Sequence, residues 1–257
     1  MSAASQPAPR GPGAATGSGP EGRIGRCRTC AVRANALFGD LTLGELDAIA
    51  PAVPDLRLPP GKALYHEGDQ PNALFILRRG LVKQELALAD GSYRIVRLAR
   101  RADLLALESL LASPCDHTAI ALTETEVCRV PLPIVRHVMD RRPLLANQMI
   151  RHWREAVSRA DGWLKHYSTG SGRQRMAHLL LDLARWREEE DRESGESTAL
   201  DLPTRDDMGA ILGITKETAS RLLGDFRREG LLTDRGSRRA TVDRAGLIRL
   251  THSDSAI

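Results

Sequence analysis

Cysteine is scarce, with four in 257 residues. That excludes a small disulfide scaffold, and in a reducing compartment such residues serve as thiols or ligands. No apolar run reaches the ~18 residues that a membrane-spanning helix needs, so no membrane partner is expected. The N-terminus lacks the apolar core of a signal peptide, and a cytoplasmic location is the expectation. Charge is modest too. A net charge of +4 permits a polyanionic partner without demanding one. Catalytic constellations are also missing. Asp116 and His117 are adjacent, but neighbours in a strand point to opposite faces, and no other nucleophile–base pair or open metal site converges. An enzyme is therefore not expected. What the chain does have is length: 257 residues suggest about two domains with sizeable cores.

Residues 1–22 are mostly Pro, Gly, Ala and Ser and cannot bury enough apolar surface to fold, so disorder is expected there. Residues 41–50 read as a short amphipathic helix. From 56 to 132 the pattern changes to short β-favouring runs, at 74–77, 95–98, 118–122 and 126–130, separated by Pro and Gly turns. That spacing predicts an all-β barrel or sandwich, and Asp90-Gly91 is a hairpin signal. Pro143 is expected near the start of a long helix. On it Met149, Trp153, Ala156, Ala160, Trp163 and Tyr167 follow alternating steps of four and three, an a/d seam. The seam either packs on its own barrel or pairs with a second copy, and a 3.5-residue period favours a helix partner. Ser168-Thr169-Gly170-Ser171-Gly172 reads as a hinge, and 173–190 as a further helix.

The chain is organised around residues 204–232, two short helices joined by a tight turn. Thr204 is the first candidate N-cap, with Asp206 and Asp207 in the anion-favouring first turn. Met208, Ile211 and Leu212 face a core, and Gly213 ends the helix in the left-handed conformation. Thr215 caps the second helix, whose buried stripe is Ala219, Leu222, Leu223 and Phe226. Glu217, Ser220 and Arg221 share a different, wet face. A helix in a major groove meets base edges with residues of its first turns. Arg matches guanine O6 and N7, Glu accepts from cytosine N4, and Ser contacts either kind of base. On spacing alone an ordinary solvated charged face is an equal alternative. Thr215 and Lys216 at the helix start are candidate backbone contacts. After this helix, residues 231–233 and 240–242 flank a turn with Arg235, Arg238 and Arg239, either a phosphate-holding wing or a solvated turn.

Glu217-Thr218-Ala219-Ser220-Arg221, set in ILGITKETASRLL, resembles the recognition helix of the Crp/Fnr family of bacterial transcription regulators, closest to the Fnr branch. LPPGKALYHEGDQPNALFILRRGLVK resembles the jelly-roll sensor domain of that family. The resemblance implies an α+β chain. A β-roll sensor (cyclic-nucleotide-binding-like) domain would span 23–140, a dimerisation helix 141–167 and a hinge 168–172. A winged helix-turn-helix DNA-binding domain would span 173–250. It also implies a homodimer reading a palindromic TTGAT-like site on double-stranded DNA through Glu217, Ser220 and Arg221. The hairpin loop at Asp90-Gly91 resembles the region that touches RNA polymerase, which implies an activator.

The Fnr branch holds an iron–sulfur cluster with four cysteines. Cys27 and Cys30 match two N-terminal positions and Cys128 the barrel position, but the remaining position is Phe38. Cys115, expected ~15–20 Å from Cys128 if 118–122 and 126–130 form a hairpin, is a poor substitute. Three readings stand for oxygen or redox sensing: a three-cysteine cluster completed by Asp40 or water, a thiol switch at Cys27 and Cys30, or a remnant pair without function. The cofactor is therefore unknown. Cyclic AMP is not expected, since residues 103–109 and 116–119 lack the family's phosphate-cradling glycine and arginine. His66, His117, His137, His152 and His166 have no diagnostic haem spacing. A redox or iron–sulfur protein on the same barrel, without specific DNA reading, is the competing function.

Overall fold

The computed structural model describes residues 27–30, 32, 38–39, 41–142, 144–194 and 199–252. The tail 1–22, Asp40 and Pro143 lie outside the described residues. Helix α1 (Leu43–Ile49) starts on a capping box: Thr42 accepts from the Glu45 amide while the Glu45 carboxylate accepts from the Thr42 amide, satisfying two otherwise orphaned donors. Eight strands follow: β1 (Asp55–Leu58), β2 (Ala63–Tyr65), β3 (Ala73–Arg79), β4 (Val82–Ala87), β5 (Tyr93–Ala99), β6 (Leu104–Leu105), β7 (Thr118–Ala121) and β8 (Thr125–Pro131). They form two four-stranded antiparallel sheets, ordered β1-β8-β3-β6 and β2-β7-β4-β5. All four predicted runs are strands, and Asp90-Gly91 turns β4 into β5, with Gly91 at φ +82°.

One expectation is corrected. The runs 118–122 and 126–130 do not pair with each other: β7 lies between β2 and β4, whereas β8 lies between β1 and β3. The chain crosses between sheets at 122–124, which lets Val127 and Ala121 meet inside one core from opposite sheets.

Strand β3 is buried on both faces, as befits a central strand. Ala73, Phe75 and Leu77 point into the roll. Leu74 and Ile76 point outward, against α1 and helix α2 (Leu132–Arg141). The long helix α3 (Leu144–Trp163) continues into a wide π turn, Leu164–Ser168, before the linker 169–171. The C-terminal part comprises α4 (Gly172–Ser194), β9 (Leu200–Asp201), α5 (Arg205–Leu212), α6 (Lys216–Arg228), β10 (Leu232–Asp234), β11 (Arg239–Val242) and α7 (Arg244–His252). Strands β9, β10 and β11 make the small wing sheet. A continuous apolar core runs from Leu81, Ile95, Leu98 and Leu122 of the roll into Met176, Leu180, Met208, Leu223 and Phe226.

The predicted seam on α3 is corrected at its ends. Met149 is 4% exposed and packs against α1 and α2, and Tyr167 is 2% exposed and belongs to the C-terminal core. Trp153, Ala156, Ala160 and Trp163 line a cavity of about 550 Å³ between α3 and the roll. The ridge that faces solvent is Ile150 (59%), Trp153 (41%), Val157 (62%) and Leu164 (61%). Its steps of three, four and seven keep the 3.5 period: Ile150, Val157 and Leu164 each lie one residue past a seam position, and Trp153 is shared with the seam.

Candidate nucleic-acid interface

Helix α5 is nucleated by Thr204, whose hydroxyl oxygen accepts from the Asp207 amide at 3.0 Å and whose proton goes to the Asp207 carboxylate at 2.7 Å. It ends at Gly213 with φ +62°, a conformation that costs a residue with a Cβ more than glycine. Gly209 solves a different problem. A Cβ there would lie 2.7 Å from the Ile214 carbonyl oxygen, so the turn can fold back onto α5 only because position 209 has no side chain. The tight turn sets the angle between α5 and α6.

Helix α6 begins at Thr215, whose hydroxyl accepts from the Thr218 amide at 3.2 Å. Ala219, Leu222, Leu223 and Phe226 are buried on one side. Arg173 lies over the Phe226 ring at 5.0 Å, and Arg227 holds Asp234 of β10 with two bonds of 2.9 Å. These contacts fix how far α6 stands out from the body. On its free side Glu217, Ser220 and Arg221 are all exposed. A carboxylate, a hydroxyl and a guanidinium therefore share one ridge with no hydrogen bond or ion pair to the rest of the described chain.

The candidate backbone contacts are already engaged within the protein. The Thr215 side chain caps its helix. Lys216 sits 2.9 Å from Asp206, which raises the Lys216 pKa; the pair is exposed, hence screened and readily exchanged. Arg235 reaches Thr241 at 3.4 Å, Arg238 donates to the Leu202 carbonyl at 3.3 Å, and Arg239 lies 3.7 Å from Asp201. Arg238 and Arg239 face a 580 Å³ crevice shared with Arg57, Arg79 and Glu126 of the roll.

The cysteines divide as the register requires. Cys128 pairs with Asp55 on β1 and Ile76 on β3, so it points to the outer face of that sheet. There Cys27, Cys30 and Cys128 line one apolar cavity of about 50 Å³ with Phe38, Ile76 and Arg78. Burial pushes the Cys128 thiol pKa well up, against the Arg78 charge, and its sulfur lies 3.5 Å from Asp55. Cys115 sits in the interior core of the roll, its pKa pushed up to about 12 by burial. Four thiolates normally hold an iron–sulfur cluster. Phe38 is buried on the wall where a fourth would be needed, and the space is a few waters wide. No group of three or more ligands able to hold a metal occurs among the described residues. The residues as they stand do not fit a four-thiolate cluster.

The cavity beneath α3 is lined by charges of both signs, among them Glu108, Asp116, Arg100 and Arg159. Arg97 is on the same wall. The His117 pKa is lowered by burial and by Arg97.

Residues 55–142 match the profile of the cyclic nucleotide-binding domain, and residues 174–250 match the Crp-like helix-turn-helix domain. The transcriptional regulatory protein btr of Bordetella pertussis is 29% identical over 200 residues, 78% of this chain and 82% of that protein. The fumarate and nitrate reduction regulatory protein of Vibrio cholerae is 25% identical over 225 residues, 87% of this chain and 89% of the relative. Among solved structures, FixK2 from Bradyrhizobium japonicum superposes with a TM-score of 0.65 at 23% identity, covering 77% of this chain and 96% of that one. A transcriptional regulator of the CRP family from Thermus thermophilus gives 0.64 at 24%, covering 76% and 95%. At such identities these two speak for the fold alone.

Proposed function

Because this chain belongs to the Crp/Fnr family of DNA-binding transcription regulators, whose members bind DNA as dimers and are not enzymes, we propose a specific reading. It recognises a palindromic TTGAT-like site as a homodimer, with Glu217, Ser220 and Arg221 on the base edges. The supporting observation is the free ridge of α6: three polar groups of complementary hydrogen-bonding character, opposite a fully buried stripe. Two such ridges, one per protomer, would enter successive major grooves. Pairing along Ile150, Trp153 and Val157 of α3, with Leu164 at the start of the π turn, would set their separation. Lys216 and the wing arginines would exchange their intramolecular partners for phosphates, fixing register without specifying sequence.

The signal in this reading is oxygen or redox state, supported by the gathering of Cys27, Cys30 and Cys128 on one cavity. Cyclic AMP is not the effector proposed. Activation through RNA polymerase, by way of the Asp90-Gly91 hairpin, belongs to the same reading, as does a cytoplasmic location.

Binding to a TTGAT-N4-ATCAA duplex, compared with a scrambled duplex of equal length and salt, is the test. Equal affinity for both duplexes ends the base-reading assignment. Anaerobic purification with an absorption spectrum and iron, sulfide and thiol assays separates cluster from bare thiols.

A further inference from the structure

Two strands of the roll grip the helix that positions the reader. The Lys83 ammonium on β4 lies 2.7 Å from Asp207 Oδ1 in the first turn of α5. The Tyr93 hydroxyl on β5 donates to the same oxygen at 3.2 Å, and the ammonium stands 4.6 Å from the Tyr93 ring centroid. Glu85 is the second carboxylate on Lys83, at 2.8 Å. Lys83 is 9% exposed and Asp207 6%. At the far end of α5, the negative end of the helix dipole, the Arg94 guanidinium occupies the space where a Gly213 Cβ would point. Between these ends Ile95 and Leu98 share a core with Met208, Ile211 and Leu212.

A buried ion pair between domains behaves differently from apolar contact. Its desolvation is compensated only while both partners are in place, and loss of one leaves an unpaired buried charge. Partial separation is therefore worse than either full docking or full release. The hinge for release is present, since residues 169–171 are the sole covalent link between the π turn and α4. The other face of the same strands carries Gln84, Val96 and Arg97, which line the 550 Å³ cavity. One strand layer thus separates that cavity from α5.

We propose that Lys83 and Asp207 form an interdomain latch that holds the helix-turn-helix unit in one orientation on the roll. Breaking the pair releases that unit about the 169–171 linker. The latch regulates DNA reading, and in that respect it rests on the function proposed above. The docking itself can be measured without DNA.

The experiment uses full-length protein and trypsin, whose sites at Lys165, Arg173 and Arg175 flank the linker. Lys83→Met is expected to raise the rate of cleavage there at least tenfold. Hydrogen exchange should quicken in α5 and the linker and stay unchanged in the β-roll. Replacing all three groups, Lys83→Met with Glu85→Gln and Asp207→Leu, removes both carboxylates that Lys83 had paired and is expected to return cleavage to within twofold of the native rate. Native cleavage in the single variant overturns the latch, and so does faster exchange spread through the roll. A combined variant cleaved as fast as the single one also overturns it. Failure of the native protein to prefer the TTGAT duplex would count against base reading and leave the cleavage result standing.

Discussion

The Tyr167 hydroxyl donates to the Asp182 carboxylate at 2.6 Å, tying the end of the long helical segment to the first helix of the DNA-reading domain. Trp163 packs edge-on against the same ring at 4.7 Å. Tyr167 is thus an interior residue of one protomer and is not open to a second copy.

Two substitutions separate these roles. Val157→Glu places a charge in the middle of the exposed ridge and is expected to yield monomers with no cooperative palindrome binding. Tyr167→Phe removes one hydrogen bond to a carboxylate and is expected to lower stability by about 1.5–3 kcal/mol while leaving the dimer intact. Sedimentation checks the first and urea unfolding the second. A stable dimer in Val157→Glu would remove the ridge from consideration.

Arg221→Ala tests the reader directly. Loss of a bidentate guanine contact is expected to weaken TTGAT binding by ~1–3 kcal/mol and to relax discrimination at the guanine alone. Titrations against duplexes substituted at each half-site position check it. Unaltered discrimination at the guanine would reassign that face.

The linker region should respond to acid. The His166 and His178 rings are 4.3 Å apart across it. The His178 pKa is lowered from 6.5 by burial, then by His166; Asp182 opposes the shift, while His252 and Lys165 add to it. A histidine held below its unfolded value contributes fully when neutral, above about pH 6.5. That contribution fades as pH falls through the folded value. The urea midpoint is therefore expected to drop between pH 7 and pH 5, and less steeply in His178→Gln. Identical slopes in the two proteins would refute the assignment.

Phe38→Cys supplies the thiolate that the cavity of Cys27, Cys30 and Cys128 lacks. After anaerobic reconstitution with ferrous iron and sulfide, the variant is expected to retain more of both than the native chain. Equal retention would show that Phe38 is not what limits ligation.

The helix-turn-helix was legible because everything that shapes it is local. Caps at Thr204 and Thr215, the stop at Gly213 and the apolar spacing of Ala219, Leu222, Leu223 and Phe226 all lie within about two dozen residues. The strands were legible for the same reason, and their partners were not: nothing near residues 118–130 records that β7 and β8 join different sheets. The seam shows how a periodic pattern can mislead. Met149 and Tyr167 satisfy the heptad steps, yet each is claimed by a neighbouring core. Lys83 and Asp207 stand 124 residues apart, and each alone reads as a surface charge. Helix α2 opens on Pro131 and Pro133, and proline is favoured in the first turn of a helix.

The wide turn at Leu164–Ser168 carries a mechanical implication. Each helical residue advances azimuth by about 100°, and a π turn accommodates one residue more than the α form. Tightening it by a single notch would swing Tyr167 off Asp182 and rotate the outgoing chain, without stretching any covalent link. A reset of this turn would therefore move the C-terminal domain by a whole-residue step.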